Sequence, residues 1–265
     1  MLVNVDYHIT DHCNLNCAHC NHFSPLVSKE TKHKSIEQIT ADLSLLSKFK
    51  NDIGTVALLG GEPFLHPQLS KILRITRQIF PNNEISLTSN GTLADKILQW
   101  KDAIEENNIQ LVITIYPYKQ DAWENYNKIK NIIPSTSYWD FPVKTGMMYH
   151  ELSNQFGVAT DQEIKDCVKR WRCNQLKDGK LWICHYAAQL NVLKNAFPGQ
   201  VNIDVDDRCY LDLNRDDLTI DDIYEWQRTT WPGICMHCVD AHYGGYGGPT
   251  KPWETTKKEL SEWVE

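Results

Sequence analysis

Leu2-Val-Asn-Val-Asp-Tyr-His-Ile9 runs without a break into Thr10-Asp-His-Cys13-Asn-Leu-Asn-Cys17-Ala-His-Cys20. The first part reads as a strand. Val3, Val5, Tyr7 and Ile9 alternate with Asn4, Asp6 and His8, and alternate residues of a strand point to opposite faces. The second part is a loop with three thiols packed into eight residues. It stands at the carboxyl end of a strand, where parallel βα folds keep their chemistry. Three thiolates this close can each hold one iron of a cubane, leaving the fourth iron open to an outside ligand. Structural zinc is the alternative, because His12, His19 or His22 could complete a Cys3His tetrahedron.

Working outward, apolar strands begin near Leu2, Thr55, Glu84, Gln110 and Thr136, and each of the first four is followed by a helical pattern. Ser35 and Gln38 have capping-box spacing ahead of Ile36, Ile39, Leu43 and Leu46 on one helix face. Leu69, Ile72, Leu73, Thr76 and Phe80 form a second such stripe. From Thr55 onward the strand starts (55, 84, 110, 136) fall 26 to 29 residues apart, which suits parallel strands with short loops. A sixth strand is expected near Val143–Met148. Helices cover the outside of such a sheet, so Asp6 and His8 should face the lumen and meet substrate or ligand. Asp140, Lys144, His150 and Glu151 follow the fifth strand and could supply a proton acceptor at the rim.

The regularity stops near His150. A hairpin is expected around Gly179–Cys184, a helix over Thr219–Thr230, a Cys235–Cys238 knuckle, and a short last helix over Lys257–Val264. The stretch His242–Pro249, HYGGYGGP, reads as a linker loop. These breaks divide the chain into 1–150, 151–243 and 244–265.

The chain has 265 residues, 42% of them hydrophobic, enough for one large domain or a domain with an annex. Its 27 basic and 34 acidic side chains give a net charge of −7, with no basic cluster to grip nucleic acid. No apolar run is long enough to span a bilayer, and the N-terminus lacks the basic start and apolar core of a signal peptide. A cytoplasmic location is the expectation. There the nine cysteines are better read as metal ligands than as disulfides. Eight of them cluster; Cys209 stands alone.

Two further turns occupy the same rim. The second strand ends in Gly60-Gly61-Glu62-Pro63 and the third in Ser89-Asn90-Gly91. Glycines allow close backbone approach, and a carboxylate can take an ammonium group. In this order the C-x3-C-x2-C loop, the GGEP turn and the SNG turn resemble the radical S-adenosylmethionine (radical SAM) superfamily over about the first 140 residues. The resemblance implies an α/β fold, a partial (β/α)6 TIM-like barrel carrying a small α+β C-terminal auxiliary iron–sulfur domain. It implies that Cys13, Cys17 and Cys20 bind a [4Fe–4S] cluster whose open iron takes the amino and carboxylate groups of SAM. Gly60, Gly61 and Glu62 would hold the methionine ammonium, with Ser89 and Asn90 near the ribose and Thr114 and Tyr116 near the nucleoside or carboxylate. His19 stands where an aromatic residue commonly packs near adenine.

The second thiol group, Cys167-x5-Cys173-x5-Gly179-x4-Cys184 with Cys235-x2-Cys238, resembles the SPASM extension in its shortened twitch form. That form carries one auxiliary [4Fe–4S] cluster, held here by Cys184, Cys235, Cys238 and either Cys167 or Cys173. A zinc ribbon on the same thiols is the alternative. The resemblance implies a radical SAM oxidoreductase that cleaves SAM to a 5′-deoxyadenosyl radical. The layout resembles twitch-type dehydrogenases of aminocyclitol alcohols, so the expected substrate is a hydroxylated small molecule: a sugar, aminocyclitol or nucleoside. An external one-electron reductant such as flavodoxin or ferredoxin is the expected partner. Epimerisation with Cys209 as hydrogen donor and modification of a ribosomal peptide are the alternatives. A structural zinc or iron–sulfur protein without SAM chemistry is the reading from another class.

Overall fold

The computed structural model describes residues 3–27, 33–116, 121–139, 147–148, 152–245, 250–251 and 253–265. Five strands, β1 (Val3–Thr10), β2 (Ile53–Gly60), β3 (Glu84–Ser89), β4 (Gln110–Thr114) and β5 (Ser137–Trp139), pair in parallel in that order. The connections carry α1 (Ile36–Leu46), α2 (Leu69–Ile79), α3 (Ala94–Leu98), α4 (Lys101–Glu106) and α5 (Ala122–Ile132). Ser35 and Gln38 form the expected reciprocal cap on α1.

The sixth parallel strand is not where the sequence pattern put it. Met147–Met148 (β6) pairs antiparallel with Thr250–Lys251 in a separate two-stranded sheet, and residues 143–146 lie outside the described residues. After α6 (Asp161–Asp166) and α7 (Lys169–Arg172), the place beside β1 is taken by β7 (Asn174–Lys177), parallel to it with Val5 opposite Asn174 and Asp6 opposite Gln175. β7 turns into β8 (Lys180–Trp182), followed by α8 (His185–Ala196), the edge strand β9 (Tyr210–Asp212) and α9 (Ile220–Thr229), giving the sheet order β5-β4-β3-β2-β1-β7-β8-β9. The C-terminal segment therefore extends the parallel sheet, and one core runs through both. The hairpin turns at Asp178 and Gly179, φ 54° and 71°, the paired positive angles of a two-residue hairpin turn.

One buried carboxylate joins these parts. Asp42 on α1 accepts the Tyr7 hydroxyl at 2.9 Å and the Gly179 N–H at 2.7 Å. Tyr7 thus faces the helices, and Asp6 and His8 face the concave side, as the alternation of β1 requires.

The last helix expected over Lys257–Val264 is instead a single 3-10 turn, Leu260–Glu262. The tail spends its backbone groups on other segments. Ala18 N–H donates to Glu254 O, Thr256 N–H to Asn16 O, Leu152 N–H to Trp263 O, and the Trp263 indole to Cys20 O at 3.1 Å. The tail thus straps the first cysteine loop. Among the described residues, no helix is long and apolar enough to cross a membrane.

Candidate active site

The first cysteine loop, the GGEP turn and the SNG turn meet at the carboxyl ends of β1, β2 and β3. Gly61 N–H donates to Thr10 O and Glu62 N–H to His12 O, both at 2.8 Å, so the end of β2 is stitched to the start of the loop. A Cβ on Gly60 would stand 1.8 Å from Thr10 O, and one on Gly61 2.3 Å from His12 O. These glycines serve a close approach of two backbones. Within the loop Cys17 is buried, while Cys13 and Cys20 are partly open. Leu15 N–H donates to Cys13 Sγ at 3.4 Å, and buried His19 turns the chain with φ 57°.

Glu62 is fully buried, its carboxylate turned inward between β2 and β3. It accepts Phe64 N–H at 3.2 Å, Ser89 Oγ–H at 2.9 Å and Asn90 N–H at 2.9 Å. Burial raises its pKa to about 7, and the three donors pull against that rise. Ser89 is buried, and its hydroxyl is spent on Glu62 and on accepting Gly91 N–H. Asn90 turns its amide to the cysteine loop. Both side chains that the SNG motif offered for a ribose are therefore engaged within the protein. Tyr116 completes this corner, its phenol pushed well up by burial and by Cys17, Cys13, Cys20 and Glu62 nearby. Thr114, half-buried, ends β4 beside it.

On the concave face the sequence showed only part of the polar set. Asp6 accepts from Gln175 at 3.0 Å, and burial raises its pKa to about 7 despite that bond. His8, buried, contacts Asp11 at 2.9 Å, His22 at 2.8 Å and Gln189 of α8 at 3.0 Å. Lys177 donates to Gln189 at 2.8 Å. Gln175, Lys177 and Gln189 escaped the sequence reading because their strand and helix come from the C-terminal segment. Asp140, Lys144, His150 and Glu151 lie outside the described residues.

A second cavity is lined by four thiols, Cys167, Cys184, Cys235 and Cys238, with Lys169, Arg170 and Tyr186. Cys173 is not in its wall. It precedes β7, and its thiol is pushed up to about 12 by burial and by Asp6. Lys169 pairs with buried Asp240 and stands 4.8 Å over the Tyr186 ring. Burial opposes its charge, but Asp240 more than compensates and raises its pKa. Gly245, read above as linker, packs on this site: a Cβ there would come within 2.7 Å of Cys167 Sγ. Residues 246–249 lie outside the described residues. Cys209, the hydrogen donor the sequence reading offered, is wholly buried in the main core beside Asp206, 3.8 Å from its carboxylate.

The donor set of both sites fits iron–sulfur clusters. Burial raises every one of the pKa values resolved among these thiols, Cys13 to about 12 and Cys184 to about 11, so a cationic core is what would turn them into thiolates. Among the described residues no three Cys, His, Asp or Glu side chains close around a single ion.

A sequence model of the radical SAM superfamily matches residues 7–172, more than half of the chain. The GTP 3′,8-cyclase of Clostridium acetobutylicum is 29% identical over 136 residues, 49% of this chain and 42% of that protein. The antilisterial bacteriocin subtilosin biosynthesis protein AlbA of Bacillus subtilis (strain 168) is 34% identical over 96 residues, 36% of this chain and 20% of that protein. These matches span less than half of the curated relatives' length. The crystal structure of BtrN in complex with AdoMet and 2-DOIA shares the fold, with TM-score 0.54 and 17% identity over 90% of this chain and 93% of that one. The chain belongs to the radical SAM superfamily, whose members use a [4Fe–4S] cluster and SAM.

Proposed function

We propose that this chain oxidises a C–H bond of a hydroxylated small molecule, with Cys13, Cys17 and Cys20 holding the SAM-binding cluster and Cys167, Cys184, Cys235 and Cys238 an auxiliary one. The observation that carries the reading is the second cavity, where four thiols and two cations meet beyond the strand that closes against β1. When bound, the first cluster with SAM supplies a 5′-deoxyadenosyl radical that takes one hydrogen atom, and the auxiliary cluster supplies a one-electron acceptor. The GGEP turn of Gly60, Gly61 and Glu62 would wall the methionine end of SAM, with His19, Thr114 and Tyr116 around the nucleoside. Asp6 then takes the hydroxyl proton of the substrate, and the His8, Gln175 and Gln189 network holds the hydroxyls. Arg170, beside these thiols, favours an added electron nearby, while the charge of Lys169 is matched by Asp240. The chain's second segment, 151–243, is the auxiliary domain of this reading, 1–150 the barrel and 244–265 its cover. A flavodoxin or ferredoxin would supply the first electron.

Two results are expected. Cys167→Ala should cost the auxiliary cluster, about four irons of eight by chemical analysis, and Cys173→Ala should cost none; the reverse would reassign the ligand. A carboxyl with its pKa raised to about 7 is protonated below that pH and becomes a base above it. The kcat/KM of the enzyme should therefore rise through about pH 7, and Asp6→Asn should remove that limb. A limb that survives would take Asp6 out of the reaction.

A second reading, epimerisation, rests on Cys173, which lies outside the wall of the four-thiol cavity and two residues before Gln175, the partner of Asp6. It requires a thiol to return a hydrogen atom to the substrate. Turnover in deuterated water decides: oxidation leaves no solvent deuterium on carbon, whereas epimerisation places it at the inverted centre and Cys173→Ala abolishes it.

A further inference from the structure

We infer that Asn90, held in place by Glu62, donates a hydrogen bond to the Cys13 sulfur and so sets the reduction potential of the cluster at Cys13, Cys17 and Cys20. The role is distinct from touching the nucleoside of SAM. Asn90 is fixed first through its backbone, whose N–H donates to Glu62 Oε2 at 2.9 Å while the neighbouring Ser89 hydroxyl donates to both oxygens of the same carboxylate. Its amide is oriented by Thr92. The Thr92 N–H, which can only donate, reaches Asn90 Oδ1 at 3.0 Å, and the Thr92 hydroxyl donates to the same oxygen at 2.6 Å. The Asn90 Nδ2 group must then face the cysteine loop. One hydrogen goes to Asn14 Oδ1 at 2.9 Å and the other to Cys13 Sγ at 3.8 Å. Asn14 Nδ2 closes the ring by donating to Thr92 Oγ1 at 2.8 Å. All four hydrogen-bonding positions of the Asn90 amide are thereby used.

A donor aimed at a ligand sulfur stabilises the electron-rich reduced cluster more than the oxidised one, which raises the potential. The inference rests on the proposed function only in taking these three thiols as the cluster ligands.

The test is a potentiometric titration of the reconstituted, SAM-free protein, following the paramagnetic signal that changes when SAM is later added. Asn90→Ala should lower the midpoint, so that the reduced-to-oxidised ratio at a fixed applied potential falls about tenfold, ~59 mV for one electron. Asn90→Asp keeps the size and the acceptor for Thr92 but turns an oxygen toward the sulfur, and should lower the midpoint further. It also supplies the reading if the alanine variant loads poorly. Unchanged midpoints in both variants, with SAM binding weakened tenfold or more, would overturn the inference and make Asn90 a nucleoside contact. Wild-type protein that loads iron only at the other thiols would overturn the ligand assignment beneath it as well.

Discussion

Replacing Cys13, Cys17 and Cys20 together by alanine is expected to remove about four of eight irons and to abolish SAM cleavage, while the second cluster survives. The two sites are built on different supports. The first loop hangs between the end of β1 and the C-terminal tail, which grips it at Asn16, Ala18 and Cys20. The second cavity is walled by α7, the start of α8 and the Cys235–Cys238 knuckle, with its own ion pair. Three alanines in the loop remove no contact of Lys169 with Asp240 or of Gly245 with Cys167. The check is iron and sulfide analysis beside a product assay. Loss of all iron would mean that the two sites are not independent, and full cleavage activity would place the reacting cluster elsewhere.

Gly60→Ala should be nearly as damaging without touching a ligand. Gly60 has φ 148°, and an added Cβ would meet Thr10 O at 1.8 Å. The obstacle is backbone on a central strand, which cannot swing away as a flexible side chain would. Either β2 parts from β1 or the stitch from Gly61 to Thr10 breaks. A destabilisation of about 4 kcal/mol or more is expected, among the largest that single substitutions produce, together with loss of the first cluster. Thermal or denaturant unfolding of the variant checks it. A variant within about 1 kcal/mol of wild type would show that the joint yields.

Much of this was legible in residue periodicity. The alternation of β1 put Asp6 and His8 on the concave side, and stripes such as Ile36, Ile39, Leu43 and Leu46 marked the outer helices. Such patterns report which face a residue takes, not which strand becomes its neighbour. Asn174, Gln175 and Lys177 are too polar to advertise a strand, yet β7 lies against β1, where Gln175 donates to Asp6, while Asn174 donates to the Ile183 carbonyl just after β8. The tail misled for a related reason. Trp263 and Val264 sit at helical spacing from Leu260, but their burial is against the core and the cysteine loop. The choice between Cys167 and Cys173 was closed to spacing, since both precede the same hairpin; in the structure Cys167 lines the second cavity and Cys173 does not. Gly245 looked like a linker glycine because a close approach to a distant sulfur leaves no mark on neighbouring residues. Glu62 was legible as important, but its inward direction follows from Ser89 and Asn90, which come from another strand.

The central claim is that the loop of Cys13, Cys17 and Cys20 cleaves SAM. Anaerobically reconstituted protein, reduced chemically and mixed with SAM, should release 5′-deoxyadenosine and methionine in equal amounts, measured by chromatography. The triple alanine variant should release neither. Protein that carries a reducible first cluster and binds SAM, yet forms no 5′-deoxyadenosine, would contradict the account.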